Sequence, residues 1–180
     1  MTDIITTAEA KTRLEPLLDI FSNEIIAEWP IVRGASDALS ERDLHYCPCI
    51  DYAIGPFNID GYVNHNQNVI QEEYDDYQHI FEPLQQIDRR IVTNSNPRCF
   101  VAIELERSTG PKHRMGSIIN AGAVGKIGIV IGLGDSAFRS LKRIREFLIR
   151  LKGIGKIEYS PDNVIIVEFS QIETLFLNIR

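Results

Sequence analysis

Phe100-Val101-Ala102-Ile103-Glu104-Leu105-Glu106 reads as an apolar β-strand that ends in two carboxylates two positions apart. Side chains alternate across a strand, so Glu104 and Glu106 project from the same face of the sheet that contains them. Two acids on one face at the end of a hydrophobic strand repel each other, and the pair costs stability unless a cation or basic partner sits between them. A solvated strand end is the competing reading of this pair. Outward from here the pattern alternates: Cys99 to Leu105 is β-rich, Arg114 to Val124 helix-like, Lys126 to Ile131 a continuous apolar run, Ala137 to Lys152 amphipathic, and Val164 to Phe169 β-rich again. Strands separated by helical stretches of about 10 to 15 residues predict an α/β layered fold whose sheet is at least partly parallel.

Upstream, Thr6 with Glu9 forms a capping box, and Leu14, Leu17, Leu18, Phe21 and Ile25 recur at helical spacing. They predict an amphipathic first helix, restarted at Pro16, that runs to a stop at Trp29-Pro30. From Tyr46 to Phe57, Ile50, Tyr52 and Ile54 alternate with Cys49, Asp51 and Ala53 up to Gly55-Pro56, which predicts a strand or the second arm of a hairpin. Gly61 to Arg90 is rich in Asn, Gln and acids, yet Ile70, Tyr74, Tyr77, Phe81, Leu84 and Ile87 are spaced as one helical face despite Pro83. It reads as a helical insert at about 61–90 within a single domain spanning 1–180, with Glu72, Glu73, Asp75 and Asp76 on its solvated side. Trp29, Tyr74 and Tyr77 read as core.

The 180 residues are 44% hydrophobic and 24% charged, a balance that excludes disorder or a fibrous repeat as the main description. A chain of this length buries roughly 70% of the surface its unfolded form exposes, enough for a core without disulfides or metal. The three cysteines are an odd number, no apolar run reaches membrane-spanning length, and Met1 to Ala10 is no secretory leader. A cytoplasmic, reduced protein that does not enter a membrane is the expectation. The net charge of -6 hides a split, with 6 Lys+Arg against 17 Asp+Glu in 1–97 and 13 against 8 in 98–180. An acidic metal site beside a basic surface for a polyanion is one explanation, and attraction between the two halves is the other.

Asp51, at the boundary of its short strand, adds a third acid to the pair at Glu104 and Glu106. Along the chain come a helix, a strand with Asp51, a strand with Glu104-Leu105-Glu106, a helix from about Arg114, the strand Lys126 to Ile131, and another helix. This order, with these acids at these places, resembles the core of the PD-(D/E)xK nuclease superfamily, the restriction-endonuclease-like fold. The resemblance implies an α/β architecture with an αβββαβ core, a mixed central sheet flanked by helices. It implies a metal-dependent nuclease that hydrolyses phosphodiester bonds, in DNA first and RNA as the other candidate, with Mg²⁺ or Mn²⁺ as cofactor. It puts Asp51 and Glu104 among the metal ligands. Glu106, where the family usually has Lys, becomes a further ligand or general base, and Glu24, or Glu28 one turn on, the acid added from the first helix. Lys112, beyond Gly110-Pro111, is the candidate for a displaced positive charge. Asp51 lies far from Glu104 for this superfamily, which makes 61–90 an insertion, and Asp88 is a rival ligand at the end of a helical pattern. Hard oxygen donors select Mg²⁺ or Mn²⁺, ions that activate water, bind the scissile phosphate and neutralise the leaving oxygen.

Nucleic-acid contacts near the reacting phosphate are expected from His113 and Arg114. Further contacts are expected from Arg139, Lys142, Arg143, Arg145, Arg150 and Lys152, which flank the apolar stripe Leu141, Ile144, Leu148 and Leu151; the competing reading is a plain solvent face. A nuclease that cuts both strands commonly works as a homodimer, but no stretch of sequence marks an interface. The missing Lys and acidic pI also suit a non-catalytic module of this fold that binds nucleic acid or a protein partner. Cys47 and Cys49 lack a second Cys/His pair at zinc spacing and read as buried thiols, and His45, His65, His79 and His113 form no metal-binding pair. Gly132-Leu133-Gly134-Asp135-Ser136-Ala137 fits a loose dinucleotide fingerprint, with a tight strand-to-helix turn as the simpler reading.

Overall fold

The apolar run at Phe100 forms β3 (Cys99–Glu106), every residue of which is buried. Burial on both faces is what a continuous hydrophobic strand requires, and β3 is the middle of five strands that lie side by side in chain order. The computed structural model describes residues 5–30, 49–58, 63–107 and 110–179. Downstream, α4 (Pro111–Val124), β4 (Gly125–Gly132), α5 (Asp135–Gly153), β5 (Val164–Glu168) and α6 (Phe169–Ile179) complete the chain. β3, β4 and β5 are mutually parallel, while β1 (Ile25–Pro30) and β2 (Cys49–Phe57) add an antiparallel half. The fold is therefore α/β with a five-stranded mixed sheet flanked by helices.

Two apolar layers hold it. On one face Tyr52, Val101, Ile103, Ile129 and Val167 pack against residues from the N-terminal helix, the inserted helices and α6; on the other, Ala102, Val130 and Ile166 pack against Ile118 and Ala121 of α4 and Leu141 and Leu148 of α5. The region read as an insert is two helices, α2 (Val63–Asp76) and α3 (Gln78–Ile87), separated at Tyr77. Ile70, Ile80, Phe81 and Leu84 are fully buried against the sheet, so the pair is part of the core layer.

The first helix is shorter than its periodicity predicts. α1 (Thr7–Leu14), with the Thr6 hydroxyl accepting from the Glu9 N–H at 3.2 Å, gives way to a 3-10 turn over Glu15–Ile20 with Pro16 in its first turn. Ile25–Pro30 is then a strand, paired antiparallel with β2, and not the end of the helix. Pro16 supplies no N–H to continue the α ladder, and β-branched Ile25 and Ile26 with Trp29 suit a pleated surface. Tyr46, Cys47 and His45 lie outside the described residues; Cys49, read as a buried thiol, is exposed, and Cys99 is buried.

The glycine-rich loop is a packing turn. A Cβ on Gly132 would stand 2.7 Å from the Phe138 backbone, and Gly134, with φ +113°, is the cap from which α5 starts. Gly134 occupies backbone space that other residues rarely enter, and Gly132 allows helix and strand to touch. Among the described residues no helix is long and apolar enough to cross a membrane.

Candidate active site at the carboxyl end of β3

The β2–β3 ladder pairs Ala53 with Ala102 and Tyr52 with Ile103, then stops, and one further step of the same register sets Asp51 against Glu104. The β1–β2 register likewise sets Glu28, between Ala27 and Trp29, against Asp51. Three acids thus form a row across three strands, at the end of the sheet where β3 and β4 finish. Open α/β sheets place ligand sites outside the carboxyl ends of their parallel strands.

Where the ladder stops, the Asp51 side chain takes over its role. Asp51 Oδ2 accepts the Leu105 N–H at 2.8 Å, which ties β2 to β3 without a main-chain carbonyl. Asp51 Oδ1 lies 2.7 Å from Lys11 Nζ, and the same ammonium binds Glu28 Oε1. Burial opposes the Lys11 charge, but the Asp51 and Glu28 carboxylates outweigh it and raise its pKa above the ordinary value. Glu28 adopts φ +51°, unusual for a residue with a side chain, at the point where it meets Lys11.

Glu104, only 8% exposed, meets its neighbours differently. Burial first, then the charge of Asp51 and a hydrogen bond to it, push the Glu104 carboxyl up to about 9, with Asn120 as a donor acting the other way and Glu106 adding to the rise. Glu104 is therefore a neutral acid at pH 7 that donates its proton to Asp51. Glu106 is buried too, and its Oε2 accepts the Ser117 hydroxyl at 2.8 Å. The repulsion anticipated between Glu104 and Glu106 is eased by a proton on one and a hydroxyl on the other. Ser117 and Asn120 stand three apart on α4 and so share one helical face, opposite acids two apart on the strand.

The structure thus brings Asp51, Glu104 and Glu106 to one end of the sheet, with Glu28, the alternative to Glu24, joined to Asp51 through Lys11, and leaves the remaining candidates elsewhere. Glu24 is exposed and precedes β1 instead of lying on a helix; its carbonyl accepts the Gly55 N–H at 2.8 Å. Lys112 and His113 are exposed in the first turn of α4, and the ammonium that does reach the acids comes from Lys11. Arg114 is buried at 6% exposure, so it is not presented to a polyanion as expected. Asp88, the rival ligand, is a structural ion-pair partner of Arg145, which removes Arg145 from the solvent face as well. Arg139 and Arg143 are exposed on α5, Arg139 paired with Asp135, while half-buried Lys142 reaches Asp88 at 3.2 Å.

Among the described residues no three of His, Cys, Asp and Glu gather into a metal-binding group. The donor chemistry at Asp51 and Glu104 nonetheless fits a hard cation, since two carboxyl groups that share a proton are close enough to share an ion. No protein-family model, curated protein or solved structure matches this chain.

Proposed function

We propose that the chain is a metal-dependent nuclease that hydrolyses phosphodiester bonds in DNA, built on a restriction-endonuclease-like core. The observation that carries this reading is the hydrogen-bonded Asp51–Glu104 pair at the carboxyl end of β3, with the Lys11 ammonium on Asp51. With α2 and α3 set aside as an insertion, α1-β1-β2-β3-α4-β4 has the αβββαβ order, which supports the same reading.

In it, Asp51 and Glu104 would hold Mg²⁺ or Mn²⁺, Glu104 as its carboxylate. The ion, when bound, supplies Lewis acidity toward the phosphate oxygens and a water of lowered pKa. Lys11, held by Glu28 and Asp51, provides the positive charge that the family's motif carries on the strand and that Lys112 was expected to provide. Glu106, oriented by Ser117, is placed to accept a proton from an attacking water. Cleavage of supercoiled plasmid, linear duplex and single strands with Mg²⁺ or Mn²⁺ tests this, with Glu104→Ala prepared in parallel. Metal-dependent cutting that disappears in the variant is the expected result, and no cutting by the wild type removes the proposal.

One feature favours the second reading, a non-catalytic binding module. Lys11 already neutralises Asp51 and a proton neutralises Glu104, so the acids are satisfied without a metal. Lys11→Met separates the two. In a nuclease it lowers turnover while calorimetric Mg²⁺ binding persists; in a binding module the wild type shows no Mg²⁺ binding, and affinity emerges only when the ammonium is gone.

A further inference from the structure

The outer face of α5 carries a stripe unrelated to the acid site in its packing. Arg139, Arg143, Phe147 and Arg150 follow one another at helical intervals and are all exposed, Phe147 at 51%. Two adjoining grooves run along it and share Lys142 and Arg143: one reaches back to Ser136 and the start of the helix, the other forward past Glu146 and Phe147 to Arg150. The helix holds six Lys+Arg against two acids, and both acids are engaged, Asp135 by Arg139 and Glu146 by Arg89 and Arg145. The exposed acids of α2 lie on a helix that packs with the opposite face of the sheet, away from this strip. α5 also begins at the end of the sheet where the acids lie, because Gly132, two residues before its cap, is the register partner of Glu106.

From this we propose that the α5 stripe holds a single-stranded nucleic acid leading to or from the Asp51–Glu104 site, with an unpaired base stacked on Phe147 between Arg143 and Arg150. The inference rests on the nuclease reading for its placement and specifies the substrate class. The strip is one helix wide, about 10–12 Å, a track for one phosphate backbone. A half-exposed phenyl ring flanked by arginines offers a face to a base that is free to unstack, and stacking tolerates any sequence. In a duplex the bases already stack on each other and the ring has no counterpart.

The test is fluorescence anisotropy in EDTA, where no cutting occurs, with labelled single strands of thymidylate and of uridylate and a hairpin duplex of equal length. Single strands are expected to bind roughly tenfold tighter than the duplex, Phe147→Leu to lose about fivefold or more and Phe147→Tyr to keep most of the affinity. Arg143→Ala is expected to lower the slope of log affinity against log salt. Phe147 is outside the core, and a melting curve checks that each variant folds. Preference for the duplex, or unchanged affinity in Phe147→Leu, overturns the inference. The two sugars distinguish DNA from RNA. Strands that bind through Phe147 but stay uncut in Mg²⁺ leave this inference standing and remove the nuclease reading; strands cut without help from Phe147 do the reverse.

Discussion

Replacing Glu104 by glutamine is expected to raise the melting temperature at pH 8 and, under the nuclease proposal, to abolish metal-dependent cleavage. The unfolded chain loses this proton near the ordinary glutamate value, whereas the fold keeps it up to about 9. Between those two values the folded state binds a proton that the unfolded state lacks, so wild-type stability falls as pH rises. The fall is on the order of 1 kcal/mol per pH unit, and about 1 kcal/mol moves the melting temperature of a chain this size by roughly 2–4 °C. Glutamine reproduces the neutral acid, its amide donating to Asp51 and its oxygen accepting from Asn120, but it does not titrate. Melting curves from pH 5 to 9 are therefore expected to coincide for the two proteins at pH 5 and to diverge by about 6–12 °C at pH 8. Parallel curves would show that Glu104 is not held neutral. Saturating Mg²⁺ is expected to raise the wild-type melting temperature at pH 8 and leave the glutamine variant unmoved, because an ion that binds only the fold stabilises it by mass action.

Asp88→Ala is the variant expected to damage the fold most. The Asp88 and Arg145 side chains are 1% and 3% exposed and form a two-pronged pair, Arg145 Nη2 donating to Asp88 Oδ1 at 3.1 Å. Asp88 Oδ2 also accepts the Ile166 N–H at 2.8 Å, which covers a main-chain donor of β5 at the open edge of the sheet, and Arg145 Nη1 donates to the Val164 carbonyl at 3.2 Å. Burial alone would raise the Asp88 pKa, but Arg145, with Ile166 and Lys142, holds it below the usual carboxylate range. Alanine removes the two-pronged partner and leaves the buried guanidinium only the exposed Glu146 carboxylate at 3.5 Å, a loss of about 3–5 kcal/mol. Thermal unfolding is expected to move down by roughly 6–20 °C. Asp88→Asn, which keeps an acceptor for Ile166, falls in between. Acid imitates the mutation only below the ordinary carboxylate value, since a depressed pKa contributes stability that is present above it and lost as pH falls through the folded one.

The parallel half of the sheet is legible because its strands are unbroken apolar runs and its helices carry a clean 3.6-residue stripe. β1 is not, since Leu14, Leu17, Leu18, Phe21 and Ile25 keep helical spacing through a segment that changes conformation twice. Pairing with β2 decides that segment, and no local pattern reports it. Asp51 and Glu104 are legible as acids at strand ends, and their opposition follows once the strands pair. Ser117 and Asn120 had a signal, two small polar residues three apart on the helix that follows Glu104 and Glu106. Lys11 had none, because its place beside Asp51 depends on how α1 packs against residues forty positions away in sequence.

The acid site straddles a seam in the order of assembly. β3, α4, β4, α5 and β5 are contiguous in sequence and join through successive short crossovers. β2 must close a loop of some fifty residues to lay Asp51 beside Glu104. Contacts across long loops are expected to form late, because closure entropy must be met before they are rewarded. A nascent or partly folded chain would then carry Glu104 and Glu106 but not Asp51 or Lys11 in place, so the acid row stays incomplete until α1 and β2 have docked.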